Sequence, residues 1–226
     1  MASGAADYNN VFTLVGPSLT SGAPDWEQTA VAPGGGPLAG GAGGIWPASM
    51  AGLLGWTLPG LPLSVLTDPY NYLWLDAVTF LSTPVSKIWV YISGPGTHLT
   101  ANENYVGLYQ PTFAGTQPGG ALSGFTLLGT SAAGAAEAAW SGAVGWVGVA
   151  LTAPVTVTPG ALYYIAHLWN GNDSFNAAMS SAAAGGSNIL GGANFEYFAT
   201  GHTTLPASLA LAQVGQNNEM KLVGAN

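Results

Sequence analysis

This chain has very little charge and no arginine. Of its 226 residues, ten are acidic and two are basic, and the basic residues are Lys87 and Lys221. A protein that grips nucleic acid neutralises several phosphates with lysine or arginine, and binding to anionic lipid headgroups has the same requirement. The formal net charge of -8 opposes both. We therefore expect no nucleic-acid partner and no membrane partner.

Cysteine and long apolar runs are also missing. With no cysteine, disulfides, thiolate chemistry and Cys-ligated metals are excluded. No continuous apolar stretch reaches the roughly 20 residues that a membrane-spanning helix needs. The N-terminus shows no basic segment followed by an apolar one, so no secretory signal is expected.

What the chain has in abundance is glycine, proline and aromatic residues. The 34 Gly and 15 Pro interrupt regular structure and disfavour long helices. The 8 Trp, 9 Tyr and 7 Phe, within a chain that is 48% apolar, supply enough surface for a buried core. We therefore expect a folded protein rich in strands.

The shortage of charge also bears on assembly. Charged residues make up 5% of the chain, whereas a soluble domain typically has about 25% and uses them to resist association. One interpretation is a subunit covered by copies of itself or by partners, which predicts a homo-oligomer. The alternative is a free β-protein with a neutral Ser/Thr/Asn/Gly surface.

Two regions differ in composition. Residues 1–65 are predicted to form an extended arm, with a Gly-rich linker at about 33–44. The arm has too little side-chain mass to bury its own large aromatics, so these are candidate docking residues: Phe12, Trp26, Trp46 and Trp56. The arm either docks on a neighbouring subunit or folds back on its own domain.

Residues 66–226 are predicted to form one β-domain. Short apolar and aromatic segments alternate with turn clusters, which is typical of an antiparallel sandwich, jelly roll or barrel. In the segment 85–92, alternation predicts that Ile88, Val90 and Ile92 share one face. Segment 131–140, which is rich in alanine, favours one short helix. The fold class is therefore all-β, an antiparallel jelly-roll-like sandwich.

The sequence offers few residues for catalysis or metal binding. His98, His167 and His202 lack the spacing that places two imidazoles on one metal, and His167 is interpreted as a core or interface residue. We assign no catalytic residue, no metal site and no cofactor. A pair of carboxylates across a cleft remains open. The acids available in the folded part are Asp68, Asp76, Glu103, Glu137, Asp173, Glu196 and Glu219.

One loop combines an aromatic residue with polar ones. Trp169 is followed closely by Asn172 and Asp173, and an indole beside amide and carboxylate groups suits a sugar ring. These three residues are the candidate glycan contact, and the loop oxygens are also candidate Ca²⁺ ligands. Core packing of Trp169 and a plain turn after it are the alternatives that we favour.

Several short segments of the sequence resemble a known family. They are Asn104–Tyr109, Leu127–Ser131, Trp140, Val149–Gly160 and Leu162–Ala166. In this order they resemble jelly-roll β-sandwich domains in minor tail and fibre-like proteins of bacteriophages that infect actinobacteria. The likeness covers residues 66 to about 223 and leaves the arm unmatched.

The resemblance implies a function in the virion. It implies a non-enzymatic structural protein on a phage tail or capsid, made in the host cytoplasm and assembled as a homotrimer with other virion proteins. The arm would then tether the sandwich to an adjacent subunit. Three alternatives stay open: a capsid decoration protein, a receptor module for host cell-wall glycan and a glycan-cleaving enzyme.

Overall fold

The computed structural model describes most of the chain after residue 54. It describes residues 55–56, 63–68, 70–94, 98–115, 120–171, 175–181, 193–217 and 219–226. For residues 55–56, 63–68, 175–181 and 219–220 only the backbone is described. The docking residues Phe12, Trp26 and Trp46 therefore lie outside the described residues, as does the predicted Gly-rich linker.

The described residues form two antiparallel sheets of seven strands each. Sheet one contains β1 (Gly55–Trp56), β2 (Leu63–Asp68), β4 (Val85–Gly94), β7 (Gly145–Val155), β9 (Phe175–Ser181), β13 (Glu219–Lys221) and β14 (Val223–Ala225). Sheet two, in spatial order, contains β11 (Ser208–Ala210), β6 (Ala121–Thr130), β5 (Tyr105–Ala114), β8 (Leu162–Trp169), β3 (Tyr72–Thr79), β10 (Glu196–Thr200) and β12 (Gly215–Asn217). The predicted all-β, sandwich-like fold is confirmed.

A hydrophobic core fills the space between the two sheets. Strand β4 contributes Ile88, Val90 and Ile92, all buried, while Lys87 and Trp89 on its other face are half-buried. The alternation predicted for this strand is therefore confirmed. Sheet two supplies the opposite wall through alternate residues of β3, β5 and β8.

Sheet two is also covered on its outer face. Ala193 and Leu205, from the loops before and after β10, pack on that face, and three tyrosines bind the backbone of these loops. The hydroxyl of Tyr109 donates to the carbonyl of Pro206 at 2.7 Å, and that of Tyr164 to the carbonyl of Asn194 at 2.7 Å. The hydroxyl of Tyr197 accepts the N–H of Asn194 at 2.9 Å. Burial raises the pKa of Tyr109 and of Tyr164 above the ordinary phenol value.

The short helix and two turns follow local sequence. Helix α1 (Ala135–Trp140) begins after Gly134, whose φ of 78° is in the left-handed region, and it confirms the predicted helix. Gly160, which follows Pro159 in the turn before β8, also has a φ of 78°. At Gly107 a Cβ would lie 2.9 Å from the carbonyl oxygen of Gly129, and the strand register shifts just beyond it, at Leu108/Tyr109. A close backbone approach and a bulge therefore occur together at this glycine.

The N-terminal edge of the sandwich begins before the predicted boundary at residue 66. Strand β2 spans that position and pairs with β9, and β1 pairs with β14. The arm itself, and how it docks, stay predictions. In the described part of the chain, no helix has the length and apolar character required to cross a membrane.

Candidate functional site

Four ionisable side chains meet in the interior of the sandwich. Asp76, His167, Glu196 and Lys221 are each fully buried, with 0% exposure. We call them the buried charged cluster. Charged side chains are rarely buried unless they are paired, because burial removes their hydration. This cluster is the strongest candidate for a functional site in the described part of the chain.

Strand register brings three of these side chains onto one face of sheet two. Asp76 on β3 lies directly opposite Glu196 on β10. His167 on β8 lies opposite Trp74, two residues before Asp76. Since side chains alternate along a strand, Trp74, Asp76, His167 and Glu196 all face the interior.

Lys221 enters the cluster from sheet one. It closes β13, and its side chain reaches Glu196, with Nζ 2.7 Å from Oε1. The same Nζ lies 3.6 Å from the ring centroid of Trp74, which is close enough for a cation–π interaction. The backbone N–H of Lys221 donates to Oδ1 of Asp76 at 2.8 Å. A single residue of sheet one thus binds both carboxylates of sheet two.

His167 completes the cluster as a neutral group. Its Nδ1 lies 3.5 Å from Oδ2 of Asp76. Burial, and secondarily the positive charge of Lys221, hold the pKa of His167 well below its ordinary value. The imidazole is therefore uncharged at neutral pH and leaves Lys221 as the cation of the cluster. The interpretation of His167 as a core residue is confirmed.

A second polar network joins loops at one end of sheet two. The N–H of Asn170 donates to Oδ1 of Asn104 at 2.7 Å. The side-chain amide of Asn170 donates to the carbonyls of Glu103 and His202, each at 2.8 Å. The amide of Asn104 in turn donates to the carbonyl of Thr100 at 2.8 Å. Through these hydrogen bonds, Asn104 and Asn170 hold the loops together at this end of the sheet.

An aromatic strip lies on the outer face of sheet one. It consists of Trp89, Tyr91 and Trp146, all half-buried. Tyr91 and Trp146 are direct cross-strand partners and make an edge contact with centroids 5.7 Å apart. The indole N–H of Trp89 donates to Oδ1 of Asn226 at 3.1 Å, and Nζ of Lys87 lies 5.1 Å from the same ring. The strip therefore presents three aromatic rings that are partly exposed to solvent.

Among the predicted site residues, Trp169 is the one whose side chain the structure describes, and its ring contacts His167 of the buried charged cluster, with centroids 5.5 Å apart. Trp169 is fully buried and packs on Trp140, which is the core position that the sequence favoured over glycan contact. Its partners in the candidate glycan site, Asn172 and Asp173, lie outside the described residues. The backbone of Trp56 lies in β1, and its side chain is not described. The glycan and arm-docking roles of these residues stay predictions.

Sequence analysis missed the cluster as a unit. Asp76 and Glu196 were among the acids considered as a pair, but Lys221 and His167 were not connected with them. One signal was present: Asp76 stands alone inside the apolar run Leu73-Trp74-Leu75-Asp76-Ala77-Val78. A charge in a strand that is apolar on both faces needs a buried partner. The chain has two lysines and no arginine, so Lys87 and Lys221 were the candidate basic partners.

Comparison with known proteins adds no family. No protein-family model and no curated protein matches this chain. Among the described residues, no group of three or more His, Cys, Asp or Glu is arranged so that it could hold a metal ion. The chemistry of the site therefore follows from the contacts themselves: an amine and two carboxylates are held together between the sheets, away from bulk solvent.

Proposed function

We propose that this protein is a structural subunit of a bacteriophage virion, a minor tail or fibre-like protein, which assembles through its neutral surface and N-terminal arm. The observation that carries the proposal is the placement of charge. The structure describes the side chains of six charged residues, and none of these six is fully exposed. Asp76, Glu196 and Lys221 are buried, and Lys87, Glu103 and Glu137 are half-buried.

The scarcity of exposed charge among the described side chains has a physical consequence. Exposed charges keep soluble proteins apart, because mutual repulsion and strong hydration oppose close contact. Without them, contacts between copies carry little desolvation cost. The aromatic strip adds residue types that are enriched in subunit interfaces. Together these features support assembly of the sandwich into a larger particle.

The resemblance supplies the virion context. The matching segments lie on β5, β6 and β8, which are adjacent strands of sheet two, on α1, and on β7 of sheet one. They therefore belong to both sheets of the sandwich. Fold and function are separate matters, and the assignment to a virion depends on this resemblance.

Oligomeric state tests the subunit proposal. We expect light scattering of the full chain at micromolar concentration to give an oligomer, with a trimer as the preferred state. A variant lacking residues 1–54 retains every described strand, so it should fold with an unchanged circular-dichroism spectrum but assemble poorly. A full chain that is monomeric under these conditions contradicts the proposal.

A receptor module for cell-wall glycan is the second candidate, and the aromatic strip favours it. A row of partly exposed aromatic rings on a sheet face suits the apolar faces of sugar rings. The test is binding to purified actinobacterial cell-wall polysaccharide, compared between the wild type and Trp146→Ala. Binding that is lost in Trp146→Ala, while the oligomer persists, supports this candidate. The absence of binding by the wild type rules it out.

A further inference from the structure

The buried charged cluster contains the reactants for a covalent bond. Nζ of Lys221 and Oε1 of Glu196 are 2.7 Å apart, and both side chains are fully buried. An amine and a carboxyl group condense to an amide with loss of water when they are uncharged, aligned and kept from solvent. Interaction distances in this range give intramolecular reactions a large advantage over the same reaction in water.

We propose that Lys221 and Glu196 form an intramolecular isopeptide bond that links the two sheets. The bond would join Nζ of Lys221, at the end of β13 in sheet one, to Cδ of Glu196, at the start of β10 in sheet two. It would replace the ion pair by a neutral amide in the same position.

Burial prepares the two groups for reaction. A low-dielectric interior disfavours charge, so proton transfer across the contact, from the ammonium to the carboxylate, gives the ion pair a neutral reactive form, an amine beside a carboxylic acid. The neutral amine has the lone pair that attack on a carbonyl carbon requires. The indole face of Trp74, 3.6 Å from Nζ, covers the amine on another side and helps to exclude water.

Asp76 lies where it can carry a proton from the attacking nitrogen to the leaving hydroxyl group. It is the direct cross-strand neighbour of Glu196, and it binds the backbone N–H of Lys221. Side chains so paired on one face of a sheet lie about 5 Å apart at Cβ, within reach of each other. His167, neutral beside Asp76, brings no second positive charge to the cluster.

The steps balance without any other reactant. The lone pair of Nζ attacks Cδ of Glu196, and the C–N bond forms. Asp76 accepts a proton from the nitrogen and delivers it to the departing hydroxyl group. The C–O bond then breaks and one water molecule leaves. Amine plus carboxylic acid gives amide plus water, and nothing is oxidised or reduced.

Mass spectrometry of the denatured full chain is the first test. We expect the wild type to be lighter than its sequence mass by one water molecule. Lys221→Met should show the full mass expected for its own sequence. Lys87→Met, which removes the half-buried lysine on the outer face of sheet one, is the matched control and should keep the deficit. A wild type without the deficit overturns the proposal.

Trypsin identifies the bond, because the chain has only two lysines and no arginine. Without a bond, complete digestion of the denatured protein gives residues 1–87, 88–221 and 222–226. A bond to Glu196 blocks cleavage after Lys221, so the products are 1–87 and a fragment 88–226 that lacks one water. A bond to Asp76 would instead hold 1–87 and 88–226 together, and this result would overturn the assignment of Glu196.

The role of Asp76 has its own test. Asp76→Asn keeps a side chain of the same size, and its folding is checked by near-ultraviolet circular dichroism. We expect this variant to fold while the fraction carrying the deficit, followed over time after refolding, rises more slowly than in the wild type. An unchanged rate shows that Asp76 takes no part in the proton transfer.

Discussion

Trp140 at the end of helix α1 stacks on Trp169 at the end of strand β8, with ring centroids 4.0 Å apart and both side chains fully buried. The stack attaches the helix to the interior of the sandwich. Trp140→Ala removes an entire buried indole and leaves a cavity beside Trp169. Such changes typically lower the free energy of unfolding by about 3–5 kcal/mol. Urea denaturation monitored by circular dichroism measures the loss.

Trp146→Ala is the control for this prediction. Trp146 is also an indole, but it is half-buried on the outer face of sheet one. Its removal leaves no closed cavity, so the loss of stability should be clearly smaller. Equal losses in the two variants would show that the Trp140–Trp169 stack is not a main support of the core.

The low pKa of His167 predicts a loss of stability in mild acid. In the folded protein the imidazole stays neutral well below its ordinary pKa of about 6.5, whereas in the unfolded chain it takes up a proton near that value. The unfolded state then binds more protons, so the free energy of unfolding decreases as the pH falls below 6.5. The slope reaches at most about 1.4 kcal/mol per pH unit for one proton.

Urea denaturation at a series of pH values between 7.5 and 5 checks this. His167→Gln removes the titrating group while keeping a side chain that can hydrogen-bond, and its stability should vary less with pH over this range. His98→Gln changes an exposed histidine and should follow the wild-type curve. A His167→Gln curve parallel to the wild type would contradict the assignment.

A side chain at Gly107 is expected to clash with its neighbours inside sheet two. A Cβ at this position would meet Cδ1 of Leu205 and lie 2.9 Å from the backbone oxygen of Gly129. The leucine can rotate, but the carbonyl belongs to the adjacent strand and cannot move without disturbing the ladder. Gly107→Ala should therefore cost about 1–3 kcal/mol, measured by thermal or urea unfolding.

Gly142→Ala provides the comparison for Gly107. Gly142 has a φ of 70° and no atom within 4 Å of an added Cβ, so its substitution tests backbone conformation alone, at a cost of about 1 kcal/mol. If Gly107→Ala is no more destabilising than Gly142→Ala, the backbone of the adjacent strand β6 lies further from Gly107 than the structure indicates.

The sequence predicted the strands that carry strong local patterns. In β4, apolar residues alternate with Lys87, Trp89 and Tyr91, and β8 is a run of aromatic and aliphatic residues. Strand β9 was not predicted. Its sequence Phe-Asn-Ala-Ala-Met-Ser-Ser has weak β-propensity, and its place in the sheet comes from pairing with β2, β4 and β13.

The buried charged cluster illustrates what sequence reasoning could not reach. Asp76 and Lys221 are 145 residues apart in the chain, and Glu196 lies between them. Their meeting depends on the order of strands in two sheets and on the way the sheets stack. Neither follows from local periodicity. Trp169 shows the opposite case. The eight tryptophans of the chain were expected to serve mainly as core bulk, and this already favoured a core position for Trp169 over a glycan site.

The buried pair of Lys221 and Glu196 gives the last prediction, on stability. Lys221→Met removes the cation but keeps the backbone N–H that binds Asp76. Glu196 is then left buried without the partner that lies 2.7 Å away, and breaking a buried pair in this way typically costs about 3–5 kcal/mol. Whether the contact is an ion pair or an amide, the two sheets lose their polar link.

The double variant Lys221→Met, Glu196→Gln separates the two parts of this cost. It removes the stranded charge as well as the cation, so it should regain part of the stability that Lys221→Met loses. Urea denaturation of the wild type, both single variants and the double variant gives the coupling energy between the two positions. A double variant that is as unstable as the sum of the single variants would show that Lys221 and Glu196 act independently, and the cluster would then be two separate buried charges rather than one link between the sheets.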